Sequence, residues 1–184
     1  MIYGKRIRLR HAEREDLATF IKWLNDPEVR EGISMYLPMS MAEEEQWFEK
    51  SLERPPAERT LCIEMKQGRG WKLIGTCGYF GFDHRIRLAE LGILIGDKTE
   101  WNKGYGTEVM QLLLRFGFDT LNLNRIWLRV YANNPRAVRA YEKAGFLEEG
   151  RQRQAHYADG RYYDVIQMSA LRDEWRAAHP EVKG

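Results

Sequence analysis

The stretch Glu100-Trp101-Asn102-Lys103-Gly104-Tyr105-Gly106-Thr107-Glu108 joins a strand-like run to a helix-like run, and its reading decides the fold. Upstream, Leu88–Ile95 is apolar and of strand length. Downstream, Val109, Leu112, Leu113 and Phe116 recur at helical spacing. Arg125–Tyr131 follows as a second strand, with Ile126, Leu128 and Val130 on one face. A strand, a helix and a strand in that order form a crossover, so the two strands run parallel. A helix N-terminus leaves backbone N–H groups unpaired and carries a partial positive charge. Glycines at 104 and 106 let the backbone curl so that several N–H groups point at one anion. The loop therefore reads as a pyrophosphate cradle. It is not a Walker A loop, because no Gly-Lys-Ser/Thr follows, and the third glycine of a dinucleotide fingerprint is missing. On two glycines alone, a tight turn with a helix cap is the simpler account.

Working outward, Ile7-Arg8-Leu9-Arg10 alternates like a half-buried strand. Leu17, Phe20, Ile21 and Leu24 mark an amphipathic helix that stops before Asn25-Asp26-Pro27. Residues 31–39 read as a loop. Ser40 and Glu43 form a capping box ahead of Trp47, Phe48 and Leu52, and Pro55-Pro56 ends that helix. Thr60–Lys66, Lys72–Phe80 and Leu88–Ile95 are strands separated by turns, so they pair as an antiparallel meander. Asn134-Pro135 is an N-cap and first-turn pair, and Gly145 closes that helix. Gln152–Tyr157 and Arg161–Ser169 flank Asp159-Gly160 as a hairpin. The fold expected is α/β of the α+β kind: one mixed, mostly antiparallel sheet, two central parallel strands, and helices on both faces.

The 184 residues predict a single domain, 1–184. Lys plus Arg is 29 against 27 Asp plus Glu, and that near balance argues against a nucleic-acid partner. No apolar run reaches the roughly 18 residues of a membrane span, and the Arg-rich start lacks the apolar region of a secretory signal. A cytoplasmic location is the expectation. Cys62 and Cys77 fit no metal or redox spacing and read as buried free thiols.

After the crossover comes Asn133-Asn134-Pro135-Arg136-Ala137-Val138-Arg139-Ala140-Tyr141-Glu142-Lys143-Ala144-Gly145-Phe146. Gly-Tyr-Gly-Thr-Glu followed by Asn-x-x-Ala-x-x-x-Tyr-x-x-x-Gly-Phe closely resembles the GNAT superfamily of N-acetyltransferases. The nearest likeness is to the branch of ribosomal-protein N-terminal and spermidine N-acetyltransferases, over Ile7 to about Leu171. One departure stands out. The family's motif usually opens with Arg or Gln three residues before its first glycine, and here that residue is Trp101.

The resemblance implies acetyl-CoA as donor cosubstrate, no metal, and a primary amine as acceptor. That acceptor is a protein N-terminus, a polyamine, an amino sugar or an aminoglycoside. It implies that the two parallel strands splay and take the pantetheine arm in their gap. Backbone groups of Ile93, Leu94 and Ile95 would pair with the arm, and an N–H near Leu94 or Ile95 would polarise the carbonyl. Asn102, Lys103, Gly104, Tyr105, Gly106 and Thr107 would contact the pyrophosphate. Asn134 would contact the arm or the reaction region; it also reads as a helix N-cap, and both roles can hold. Arg136, with Arg139 and Lys143 on the same helix, would reach the adenosine 3′-phosphate or face solvent. Tyr141 would donate a proton to the leaving thiolate; a packed core tyrosine is the alternative. Glu90 is the candidate base, through a water or directly, against a cross-strand ion pair. His84 is a second candidate. A non-catalytic acyl-CoA-binding module on the same fold is the rival function. Tyr157, Tyr162, Tyr163 and the sheet edges leave room for a homodimer.

Overall fold

The computed structural model describes residues 1–180. Its strands are β1 (Ile2–Tyr3), β2 (Ile7–His11), β3 (Leu61–Gln67), β4 (Gly70–Asp83), β5 (Leu88–Ile95), β6 (Arg125–Tyr131), β7 (Leu147–Ala158) and β8 (Arg161–Leu171). They form one sheet in the order β1-β2-β3-β4-β5-β6-β8-β7. The helices are α1 (Leu17–Leu24), α2 (Pro27–Arg30), α3 (Met41–Leu52), α4 (Tyr105–Arg115), α5 (Pro135–Ala144) and α6 (Arg172–Ala178). β5 and β6 are parallel, with Leu88, Ala89 and Glu90 opposite Arg125, Ile126 and Trp127. β2–β3, β3–β4, β6–β8 and β7–β8 are antiparallel. The chain divides into two compact units, Met1–Tyr79 with Ile93–Tyr105, and Phe80–Gly92 with the chain from Gly106.

In the first unit, Leu17 and Phe20 of α1 cluster with Phe48 of α3 and Cys62 of β3, with Trp23 and Trp47 packed around them. The Ser40 hydroxyl accepts from the Glu43 N–H at 3.3 Å, and the Glu43 carboxylate accepts from the Ser40 N–H at 2.9 Å. The expected capping box therefore starts α3. Arg8 and Arg10 alternate with the buried Ile7 and Leu9, as the pattern requires, but they are not simply solvated. Both bind Glu64 on β3, at 2.5 and 2.9 Å, and Arg10 also binds Asp16 at 2.7 Å.

In the second unit, α5 starts on Asn134, whose side chain accepts from Ala137 N–H, and ends on Gly145 at φ +106°. The Gly145 N–H reaches Glu142 and the Phe146 N–H reaches Tyr141, each at 3.0 Å. That double closure needs a left-handed residue, which glycine supplies without strain. Phe118 and Trp175 meet at 5.6 Å between ring centroids.

The sequence expectation does not include β1 or α2, and three elements of the second unit also differ from it. β7 starts at Leu147, not Gln152, because its charged, exposed first half lacks alternation; charge on an edge strand guards it against mispairing. A π-helical turn, Phe116–Thr120, extends α4. α6 follows β8 directly and is held by the buried Trp175. Cys62 and Cys77 are free and buried, and burial pushes both thiols well up.

Asp16 and Glu44 carry opposite pH dependences. Burial pushes the Asp16 carboxyl up, but Arg10 and the Glu13 N–H outweigh it and hold it below the usual carboxylate range. Glu44 is 3% exposed on α3, and burial alone raises its carboxyl. Asp16 thus adds stability above its unfolded value and loses it as pH falls. Glu44 costs stability as pH rises past its unfolded value. Asp16→Ala should cost about 3 kcal/mol at neutral pH by urea unfolding, a deficit that shrinks below a pH of about 3.9. Glu44→Gln should melt above the parent at neutral pH, and that gap should close toward a pH of about 4.

Candidate active site

The loop before α4 is built from the residues upward. Asp97 caps a single turn, Lys98–Glu100, by accepting from the Thr99 N–H. Glu100 is buried at 8% exposure, and its carboxylate accepts from Lys103 and Lys72, each at 3.0 Å. Those two lysines hold it below the usual carboxylate range. Asn102 and Gly104 then take φ of +62° and +83°. Two left-handed residues so close turn the chain sharply just before α4. Outside the ladder of α4, and among the described residues, no backbone N–H from 102 to 107 donates to another backbone group. This is the state an anion-binding helix start requires.

Trp101, at the position where the family's motif usually has Arg or Gln, has a local role. Its indole Nε1 donates to the Ile95 carbonyl at 2.7 Å. The neighbouring Leu94 carbonyl lies 2.1 Å from where a Cβ on Gly75 would stand, so only glycine fits there. The Ile95 carbonyl thus accepts from Trp101, and the Leu94 carbonyl closely faces Gly75.

Arg6 is a residue that local sequence reading missed. Its Nη1 donates to the Lys103 carbonyl at 3.1 Å, across 97 positions of chain. Its guanidinium carbon sits 4.6 Å from the Tyr105 ring centroid. No motif joins residue 6 to the loop; Arg6 lies in the bend just before β2.

In the second unit, the first turn of α4 packs on α5 beside Tyr141. The Thr107 hydroxyl donates to the Ala140 carbonyl at 3.4 Å, and a Cβ on Gly106 would stand 4.0 Å from that of Ala140. Tyr141 is 9% exposed, and burial pushes its phenol up to about 12. It therefore holds its proton through the neutral range. Asn134 is an N-cap, as one of its two expected roles required. Arg136 is partly buried, whereas Arg139 and Lys143 are exposed.

Glu90 is 9% exposed on β5, and its Oε1 accepts from Arg129 Nε on β6 at 3.0 Å. The cross-strand ion pair is thus real. His84 is exposed and stacks on Phe82 at 5.8 Å. Among the described residues no cluster of His, Cys, Asp or Glu could hold a metal ion, and no helix is long and apolar enough to cross a membrane.

The model of the acetyltransferase (GNAT) domain matches residues 6–147. The chain belongs to the GNAT acetyltransferase family. It is 33% identical to spermidine N(1)-acetyltransferase of Vibrio cholerae over 94% of this chain and 96% of that protein. It is 31% identical to N-acetyltransferase p20 of Bacillus licheniformis over 95% and 97% of the two chains. The crystal structure of the Vibrio cholerae spermidine N-acetyltransferase with CoA and spermine superposes with a TM-score of 0.83 at 30% identity, over 92% of this chain and 98% of that one. The reaction of this GNAT enzyme is acetyl transfer from acetyl-CoA to an amine.

Trp101→Phe removes the donor to Ile95 while keeping an aromatic ring. It should cost about 1 kcal/mol in thermal unfolding, the net worth of one hydrogen bond.

Proposed function

We propose that this chain, acting as one domain over 1–184 in the cytoplasm, acetylates a primary amine by direct transfer, and that the acceptor is a polyamine. Tyr141 carries the reading. A buried phenol that keeps its proton stands on α5 one residue from Ala140, which bonds the first turn of the glycine-loop helix. The polyamine assignment draws on the Vibrio cholerae relative, named for spermidine and solved with spermine.

Asn102 to Thr107 would hold the diphosphate with main-chain donors, with Arg136 near the nucleotide. Ile93 and the N–H groups of Leu94 and Ile95 would align the arm, and one of those N–H groups would polarise the thioester carbonyl. The amine nitrogen then forms its bond to the carbonyl carbon, the C–S bond breaks, and the nitrogen gives up one proton. Glu90 would receive that proton, directly or through a water, with Arg129 holding the carboxylate in place. Tyr141 would bond the departing sulfur and supply its proton. In free solution a phenol near 10 would not readily acidify a thiolate near 8.5. The transfer is therefore driven by the charge that develops on sulfur as the C–S bond breaks, which strengthens the hydrogen bond from the phenol. Cys62 and Cys77 are buried with raised thiols, so neither supports a covalent acetyl-enzyme.

A lysine-like amine is neutral in roughly one molecule in 2,500 at pH 7. The rate at low amine should therefore rise about tenfold per pH unit below the amine's own pKa. Free-thiol release across spermidine, spermine, an N-terminal peptide, an amino sugar and an aminoglycoside tests the acceptor. Turnover confined to the peptide would overturn the polyamine assignment. Tyr141→Phe should lose about 10²-fold or more in kcat with little change in acetyl-CoA binding. Unchanged kcat would remove Tyr141 from the chemistry, and an inactive parent that still binds acetyl-CoA would favour the non-catalytic module.

A further inference from the structure

We propose that Arg6 is a positioning residue for acetyl-CoA, fixing the peptide between Lys103 and Gly104 so that the Gly104 N–H is presented to the diphosphate. This deepens the proposed function, because it rests on residues 102–107 being the diphosphate site. The geometry comes from one planar group touching successive loop residues. Arg6 Nη1 donates to the Lys103 carbonyl at 3.1 Å. Arg6 Nη2 lies 3.4 Å from where a Cβ on Gly104 would stand. The guanidinium carbon is 4.6 Å from the Tyr105 ring centroid, within cation–π range.

A trans peptide holds its C=O and its N–H on opposite sides of the chain. A carbonyl fastened to Arg6 therefore turns the next N–H, that of Gly104, away from Arg6. Arg6 can impose this orientation because its own backbone is anchored. The Lys66 N–H bonds the Arg6 carbonyl at 2.8 Å, and the adjacent Ile7 pairs with Met65 across β2 and β3. The Lys103 side chain is committed elsewhere, to Glu100 at 3.0 Å. Lys103 therefore contributes its peptide to the loop, and Arg6 controls that peptide. A donor already aimed before the ligand arrives needs less ordering on binding.

The test compares two donors that differ only beyond the pantetheine: acetyl-CoA, and acetyl-pantetheine, which lacks the diphosphate. Arg6→Ala should raise KM for acetyl-CoA about tenfold, the loss of one oriented donor. KM for the amine, kcat, and kcat/KM for acetyl-pantetheine should stay within about twofold, a spread well below that tenfold shift. Arg6→Lys should recover part of the loss, since an ammonium can still reach the carbonyl. Arg6→Met keeps the stem over Tyr105 without the donor and should behave like Arg6→Ala; it serves if the alanine variant folds poorly. An unchanged KM for acetyl-CoA in both variants overturns the proposal. So does an equal loss with both donors, which would mark Arg6 as merely structural. If the parent itself shows no preference for acetyl-CoA over acetyl-pantetheine, the diphosphate reading of the loop fails, and the role of Arg6 falls with it.

Discussion

The orientation of a few backbone N–H groups at the start of α4 is the constraint on which the rest of the structure depends. A diphosphate is heavily hydrated, and a protein holds it only by offering donors that need no reorganisation. Main-chain donors meet that requirement if the chain turns tightly just before a helix. Asn102 and Gly104 supply the turn through positive φ, and Tyr105 begins the helix. The turn is then braced by groups around it. Glu100 ties down Lys72 and Lys103, Trp101 ties the loop to the end of β5, and Arg6 takes the Lys103 carbonyl. None of these bracing groups is a glycine, so the loop's shape is a property of its surroundings as much as of its own sequence.

The same logic governs charge. This chain places carboxylates where burial opposes ionisation and then offsets the cost with arginine or lysine. Asp16 and Glu64 sit with Arg8 and Arg10, Glu100 with two lysines, and Glu90 with Arg129. Glu44 is the exception, buried with its carboxyl raised by burial alone. The same physics acts on Tyr141. Removing a phenol from water disfavours phenolate, so the proton stays available beside the first turn of α4. Ion pairing at Glu90 leaves one carboxylate oxygen bound to Arg129.

Much of the site was legible without coordinates. The glycine loop, the strand-helix-strand crossover and the Asn134 cap follow from spacing and turn chemistry, because each is a local rule about backbone freedom or periodicity, whereas Tyr141 stood out only through the family resemblance. The capping box at Ser40 and the β6 boundaries read equally well, for the same reason. β7 was misplaced by five residues at its start because Leu147–Arg151 is a charged edge whose pairing to β8 leaves no alternation to detect. α6 has only Trp175 as a buried anchor, too little for a periodic signal.

By itself, the sequence determined which segments are strands and helices in the core of the chain, where the glycine loop lies, and which family the motifs belong to. Hydrophobic period, glycine conformational freedom and helix capping act over a few residues, so a linear string displays them. The tertiary structure alone decided that Arg6 reaches the Lys103 carbonyl, that Gly75 closely faces the Leu94 carbonyl, that Glu90 is paired, and that Thr107 meets the turn of α5 holding Tyr141. Each of these is a contact between residues far apart in the chain, and no local rule encodes the strand register that brings them within reach.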